Sequence, residues 1–313
     1  MSAPQRREFV APHMGTLWRL VFFHDDADRA RVARDDAWDR LTQLDARLSD
    51  FRPESELSRL ARDGTLASPS DDLRRVLAAA RTLSEATDGA FDITVGPVVR
   101  LWRTARREKR LPSAPELAAA RALVGWQAVE VHESEAIFRT RGGSLDLGGI
   151  AKGFAQDEVL QVLRERHGLD SALVDAGGGV SVGAPPPGQS VWSAAIEASA
   201  EESESVTLGL VRQSLATSGD SRQFVEIEGV RYSHIVDPLT GLGMTERMQA
   251  SVVAAEGATA DALATAFCVM GEEKSRAFLR RHAGAEASLR SVTADGRPRL
   301  WQSRGLARLL TSP

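Results

Sequence analysis

Asp261 and Thr265 stand four residues apart in the segment Ala260-Asp261-Ala262-Leu263-Ala264-Thr265. On a helix that spacing puts a carboxylate and a hydroxyl on one side, one turn apart, where they could share a hard cation with phosphate oxygens. Magnesium fits so sparse a supply of ligands. The plain alternative is an Asp that complements a helix start beside a surface Thr.

Three other groups could do chemistry. In Leu145-Asp146-Leu147-Gly148-Gly149-Ile150-Ala151-Lys152-Gly153, an acid, a Gly-Gly turn and a helix start would bring free backbone N–H groups and a carboxylate to one spot. That suits a phosphate, or a carbonyl ligand to a metal, although plain turn chemistry is also open. It is neither a P-loop nor a dinucleotide fingerprint: Lys152 is followed by Gly153, and neither this turn nor Gly177-Gly178-Gly179 keeps the required spacing. In Tyr232-Ser233-His234-Ile235-Val236-Asp237-Pro238, His234 could serve as a general base near neutral pH, oriented by Asp237 or a backbone carbonyl, or it could be a structural histidine. In Asp88-Gly89-Ala90-Phe91-Asp92, Phe91 could stack on a planar ring and Asp92 could accept a hydrogen bond from it. Phe91 could equally be core.

The elements that must position these groups follow from periodicity and breakers. Residues 10–23 read as extended, broken near Met14-Gly15, and lead into a helix through Ala37, Leu41, Leu44 and Leu48 that Asp25 or Asp26 starts. A second helix runs from Ser70 to a stop at Gly89, and a third spans about 115–125; Gly96-Pro97 between them reads as a turn. Strands are expected at 128–131, 136–139 and 144–147. The last of these feeds the Gly-Gly turn and a helix over 150–167 that Gly168 closes. Further extended segments lie at 172–175, 180–182, 192–197, 206–211, 223–227, 230–236 and 250–255. Helices are expected over 259–270 and 272–281, then strands at 287–292 and 299–302. Helices lead and strands dominate the middle, without the alternation of a doubly wound sheet, so the fold class is α+β. No repeat or composition shift divides the chain, and residues 1–313 read as one domain.

The 313 residues carry a net charge of -4. The basic residues are scattered except over 100–110, which reads as a solvated helix face, so no nucleic-acid partner is expected. The single cysteine, Cys268, lies in an apolar run and excludes an intrachain disulfide. Residues 1–8 are polar with no apolar signal region, and no apolar stretch reaches the roughly 18 residues of a spanning helix. The expectation is a cytoplasmic protein with no transmembrane segment. No His-Glu-x-x-His or Gly-x-Ser-x-Gly motif exists, which argues against zinc and serine hydrolases.

Taken in order, Met14-Gly15-Thr16, Leu48-Ser49-Asp50-Phe51-Arg52-Pro53-Glu54-Ser55-Glu56-Leu57-Ser58, Asp88 to Pro97, Asp146 to Gly153, Ala216 to Asp220, Ser233 to Gly241 and Ala260 to Gly271 resemble the ApbE-type FAD:protein FMN transferases, over about residues 10–280. The resemblance implies an ApbE-like, T-fold-like architecture with mixed, largely antiparallel sheets and packed helices. It also implies an enzyme that takes FAD as substrate, splits its pyrophosphate and attaches FMN through a phosphoester to a Thr or Ser of a target flavoprotein, releasing AMP. The acceptor residue would lie in an Asp-Gly-x-Ser/Thr-Gly-Ala-Thr type of motif. Magnesium would be held by Asp261, Thr265 and a backbone oxygen of Gly149. Met14, Phe51, Ala90, Phe91, Asp92, Asp146 and Lys152 would line the FAD site, and His234 would be the base for the attacking hydroxyl. The chain departs from the family pattern at Phe51, where tyrosine is common, at Ser221, where an aromatic is usual, and at Gly179-Val180, which replaces an acid. Two further readings use the same residues: a magnesium-dependent FAD pyrophosphatase that yields FMN and AMP, and an FAD-binding protein without turnover.

Overall fold

A computed structural model describes residues 4–197, 205–219, 224–292 and 296–311. Strands β1 (Arg6–His13) and β2 (Thr16–Phe23) form a hairpin through Met14-Gly15, whose φ angles of 44° and 75° suit a two-residue turn between twisted strands. On β2, Trp18, Leu20 and Phe22 enter one core while Val21 enters another, so alternation buries both faces of the strand.

Helix α1 (Ala27–Leu48) starts where the Asp26 carboxylate accepts the N–H groups of Asp28 and Arg29; α2 (Glu56–Asp63) and α3 (Asp71–Ala86) start under Ser55 and Ser70. Strand β3 (Thr65–Ala67) lies between α2 and α3. Next come α4 (Gly96–Glu108), α5 (Ala114–Arg121), β4 (Val129–Val131) and β5 (Glu135–Phe138), and β3, β5 and β4 make a small sheet. Helix α6 (Ala151–His167) ends at Gly168 in the left-handed region. The second half holds β6 (Ala172–Asp175), β7 (Gly179–Val182), β8 (Trp192–Ile196), β9 (Val206–Leu210), β10 (Gln213–Gly219), β11 (Phe224–Ile227), β12 (Val230–Ser233) and β13 (Met248–Ala254). Helix α7 (Gly257–Arg281) and strands β14 (Ala285–Val292) and β15 (Pro298–Gln302) follow.

The principal sheet runs β1-β2-β6-β7-β10-β13-β14-β15, and all its pairings are antiparallel. The main core packs α1, α3, α6 and α7 against one face of this sheet. The β8–β9 ribbon packs Trp192, Ile196, Leu208 and Leu210 with Val21, Leu173 and Leu215 on the other. Among the helices, Arg40 of α1 bonds both Asp72 of α3 and Glu158 of α6, so these buried carboxylates are paired. A separate small cluster joins Val98, Trp102 and Ala105 of α4 to Val236. The class is α+β, as the sequence implies.

Several local expectations are corrected. Residues 144–147 are not a strand: Leu145 and Leu147 are buried in alternation, but the Asp146 N–H donates across a loop to the Ile93 carbonyl at 2.7 Å, outside any ladder. Gly96-Pro97 opens α4 instead of turning, because a proline in the first helical turn forfeits no hydrogen bond. The expected strand 230–236 ends at Ser233, and Val236 keeps only a single bridge to Gly243. The third helix stops at Arg121, while α2, β3 and β10 are additional. Gln223, the expected start of β11, lies outside the described residues. The two helices expected near the end are both present, separated within α7 by the non-helical Gly271. Cys268 is buried. Among the described residues no helix is long and apolar enough to cross a membrane.

Candidate active site

Helices α6 and α7 meet at their first turns through two glycines. A Cβ on Gly153 would stand 2.0 Å from the Gly257 carbonyl oxygen, and one on Gly257 would stand 2.5 Å from that of Gly153. Glu256 supplies no side-chain cap to α7. The carboxylate of Asp157 does so from α6, accepting the N–H groups of Gly257 at 2.7 Å and Ala258 at 3.1 Å. Burial pushes the Asp157 carboxyl up to about 7, against the pull of those two N–H bonds. One turn along α7, buried Asp261 accepts the Gly153 N–H at 3.2 Å. The Lys152 ammonium is 4.0 Å from the same oxygen and donates to the Gly148 carbonyl at 3.0 Å.

The next turn of α7 brings Thr265 to the Gly-Gly turn. A Cβ on Gly149 would stand 3.0 Å from Thr265 Oγ1 and 3.3 Å from the Phe91 ring, so a side chain there would crowd both groups. Ser218 of β10 reaches Thr265 Oγ1 at 3.2 Å. A carboxylate, hydroxyls and turn backbone suit a hard cation that completes its shell with phosphate oxygens. Among the described residues no group of three or more His, Cys, Asp or Glu side chains could hold a metal ion by itself.

Asp146 closes the Gly-Gly turn by accepting the Gly148 N–H at 2.7 Å. Its other oxygen lies 3.6 Å from Arg103 of α4, which is also 3.6 Å from Asp50 and sits 4.9 Å over the Phe51 ring. Burial pushes the Asp50 carboxyl up, the Asp146 charge adds to this, and Arg103 opposes both.

Ala90 and Phe91 are buried beside this turn. Asp92 turns inward: its carboxylate accepts the Thr94 N–H and hydroxyl, each at 2.7 Å, and the Trp126 N–H at 3.0 Å. Burial still raises its pKa, and these bonds only counter the rise. Asp92 thus fixes the loop that carries Ala90 and Phe91. Met14 packs half-buried against the main core at the hairpin tip, whose Thr16 side chain lies against Gly177.

His234 is half-buried on the loop after β12. That loop rests on α4: Trp102 meets Tyr232 with ring centroids 5.0 Å apart and donates its indole N–H to the Gly241 carbonyl at 2.8 Å. Asp237 accepts the Leu239 N–H and the Thr240 hydroxyl, so its carboxylate serves its own turn. Asp220 and Ser221 lie outside the described residues.

The geometry gathers Gly149, Phe91 and Thr265 at one point, with Asp261 one helical turn along α7 beside Lys152, and Asp146 at the Gly-Gly turn. The ApbE family model matches residues 14–289. The chain belongs to the ApbE family. The FAD:protein FMN transferase of Vibrio cholerae is 33% identical over 275 residues, spanning 85% of this chain and 82% of that protein. The FAD:protein FMN transferase of Haemophilus influenzae is 31% identical over 277 residues, spanning 84% and 80%. The apo crystal structure of Pseudomonas stutzeri flavinyl transferase ApbE matches with a TM-score of 0.86 at 30% identity, covering 100% of this chain and 99% of that one.

Around this candidate site, Asp157 and Arg103 escape a reading of sequence alone, one looking like any helix acid and the other like one more member of a basic run, while Ser218 lies in the Ala216 to Asp220 segment that the sequence singles out without assigning it a role. Each is defined by a partner from a distant segment.

Proposed function

We propose that this chain is a FAD:protein FMN transferase working as one domain, which moves the FMN half of FAD onto a Thr or Ser hydroxyl of an acceptor flavoprotein. The observation that carries this reading is the meeting of Thr265 Oγ1, the Gly149 turn and the Phe91 ring, with Asp261 one helical turn away. Apolar ring wall, phosphate-compatible turn and cation ligands then adjoin, as a flavin pyrophosphate requires.

The acceptor hydroxyl oxygen attacks the FMN phosphorus, and the bond from that phosphorus to the bridging oxygen breaks. AMP departs with the bonding electrons, and the hydroxyl proton passes to the His234 imidazole. Asp261, Thr265 and a Gly149 backbone oxygen would hold magnesium, which when bound neutralises charge on the pyrophosphate. Lys152 and the N–H groups at the start of α6 add fixed positive potential at the same turn. Asp146 holds the turn in shape through Gly148. Ala90 and Phe91 wall the ring site, Asp92 holds their loop, and Met14 and Phe51 complete the lining. The acceptor carries an Asp-Gly-x-Ser/Thr-Gly-Ala-Thr type of motif, and the setting is cytoplasmic, which cell fractionation tests.

Incubation with FAD, magnesium and such an acceptor should give a covalent FMN mass increase and AMP release that depends on the acceptor. AMP release that ignores several acceptors, with no mass gain, would replace this reading with FAD hydrolysis. FAD that stays bound and intact would replace it with a binding protein.

A further inference from the structure

Phe51 exposes 75% of its surface, on a loop tied down by hydrogen bonds. The Ser55 hydroxyl donates to the Ser49 carbonyl at 2.7 Å, the Ser58 hydroxyl to the same oxygen at 3.3 Å, and the Phe51 N–H to Ser49 Oγ at 3.3 Å. Arg52 pairs with Asp45 of α1 at 2.7 Å. Such a loop holds a large apolar ring in water at a hydration cost, and a fixed exposed ring is what a stacking ligand needs.

Arg103 supplies the other part. Its guanidinium covers one face of the ring at 4.9 Å and stands 3.6 Å from both Asp50 and Asp146. At those distances charge holds it, without the tight fork of a bidentate pair, so its plane remains available to the ring. Its helix is anchored next door by Trp102, which is buried and bonded to Gly241. Asp146 also shapes the Gly148-Gly149 turn. One side chain therefore ties the Phe51 loop to the turn that faces Thr265.

We propose that Arg103 is a positioning residue that fixes Phe51 as a stacking platform for a flat ring of FAD. The proposal rests on the transferase reading above. Arg103 acts through Phe51, and the guanidinium plane contributes as well as its charge.

Calorimetric titration of FAD into the full-length protein, without acceptor, tests it with R103A, R103K, F51A and the R103A/F51A double variant. Removal of either side chain should weaken FAD binding about tenfold. The double variant should bind no more weakly than F51A, since the two side chains act as a unit. R103K should stay nearer R103A than wild type, and melting temperatures should match throughout. Unchanged affinity in R103A, or single losses that multiply in the double variant, overturns the inference while leaving the transferase reading intact. A wild-type protein that binds no FAD overturns both.

Discussion

Gly153 and Gly257, on two different helices, touch backbone to backbone: a Cβ on Gly153 would lie 2.0 Å from the Gly257 carbonyl oxygen. No rotamer change relieves such an overlap, since both partners are main chain. The contact sets where α7 begins, and with it the bond from the Gly153 N–H to Asp261.

Gly153→Ala should therefore cost about 3 kcal/mol of stability or more, measured as a shift in the urea midpoint. An unchanged midpoint would show that the helices separate freely and that the crossing does not set the site.

Asp261→Asn keeps the shape of the side chain and its acceptor oxygen for Gly153 but removes the charge. The magnesium concentration for half-maximal transfer should rise about tenfold or more. Thr265→Ala should act in the same direction by less. Manganese binding followed by electron paramagnetic resonance gives a readout independent of turnover, and equal manganese affinity in both variants and wild type would remove these residues from the cation site.

His234→Gly should lower the transfer rate by about 10²–10⁴-fold, the range for a positioned base, while calorimetry still detects FAD binding. Full transfer by this variant would eliminate His234 as the proton acceptor.

Asp157 makes stability depend on pH in an uncommon direction for an acid. Burial raises its carboxyl from 3.8 to about 7, so between those values the folded state keeps a proton that the unfolded state has lost. Stability from this group is full below the unfolded value and falls as pH rises through the window, by at most about 1.4 kcal/mol per pH unit. Denaturant unfolding of wild type and Asp157→Asn at a series of pH values checks this. The wild type should lose stability relative to the variant as pH rises through the window; parallel curves would refute it.

Features decided by neighbours in the chain were legible in sequence. The Met14-Gly15 turn, the Asp26 and Ser70 helix starts, the stop at Gly168 and the break at Gly271 each depend on backbone chemistry of a few adjacent residues. Strand β10 was hidden because Ser214, Thr217 and Ser218 look like loop. In the fold Ser214 donates to Ser181, Ser181 donates to Gln156, and Thr217 pairs with Ser251, so a central strand tolerates them. The partners sit on other elements, which periodicity cannot supply. The placement of Asp261 and Thr265 one turn apart on a helix was readable from their spacing, whereas the inward turn of Asp92 was not. One of its oxygens serves Thr94 nearby, but the other is claimed by the Trp126 N–H, far along the chain.

The order of strands in the principal sheet has a consequence for synthesis on the ribosome. Arg19 of β2 pairs with Asp175 of β6, 156 positions later. At about 5–20 residues per second the N-terminal hairpin waits roughly ten to thirty seconds for the strand that completes its edge. During that time the far edge of β2 is open and Val21 lacks its β8–β9 partners, so nascent chains stalled before β6 present a sticky ribbon to chaperones, and folding of the principal sheet starts late.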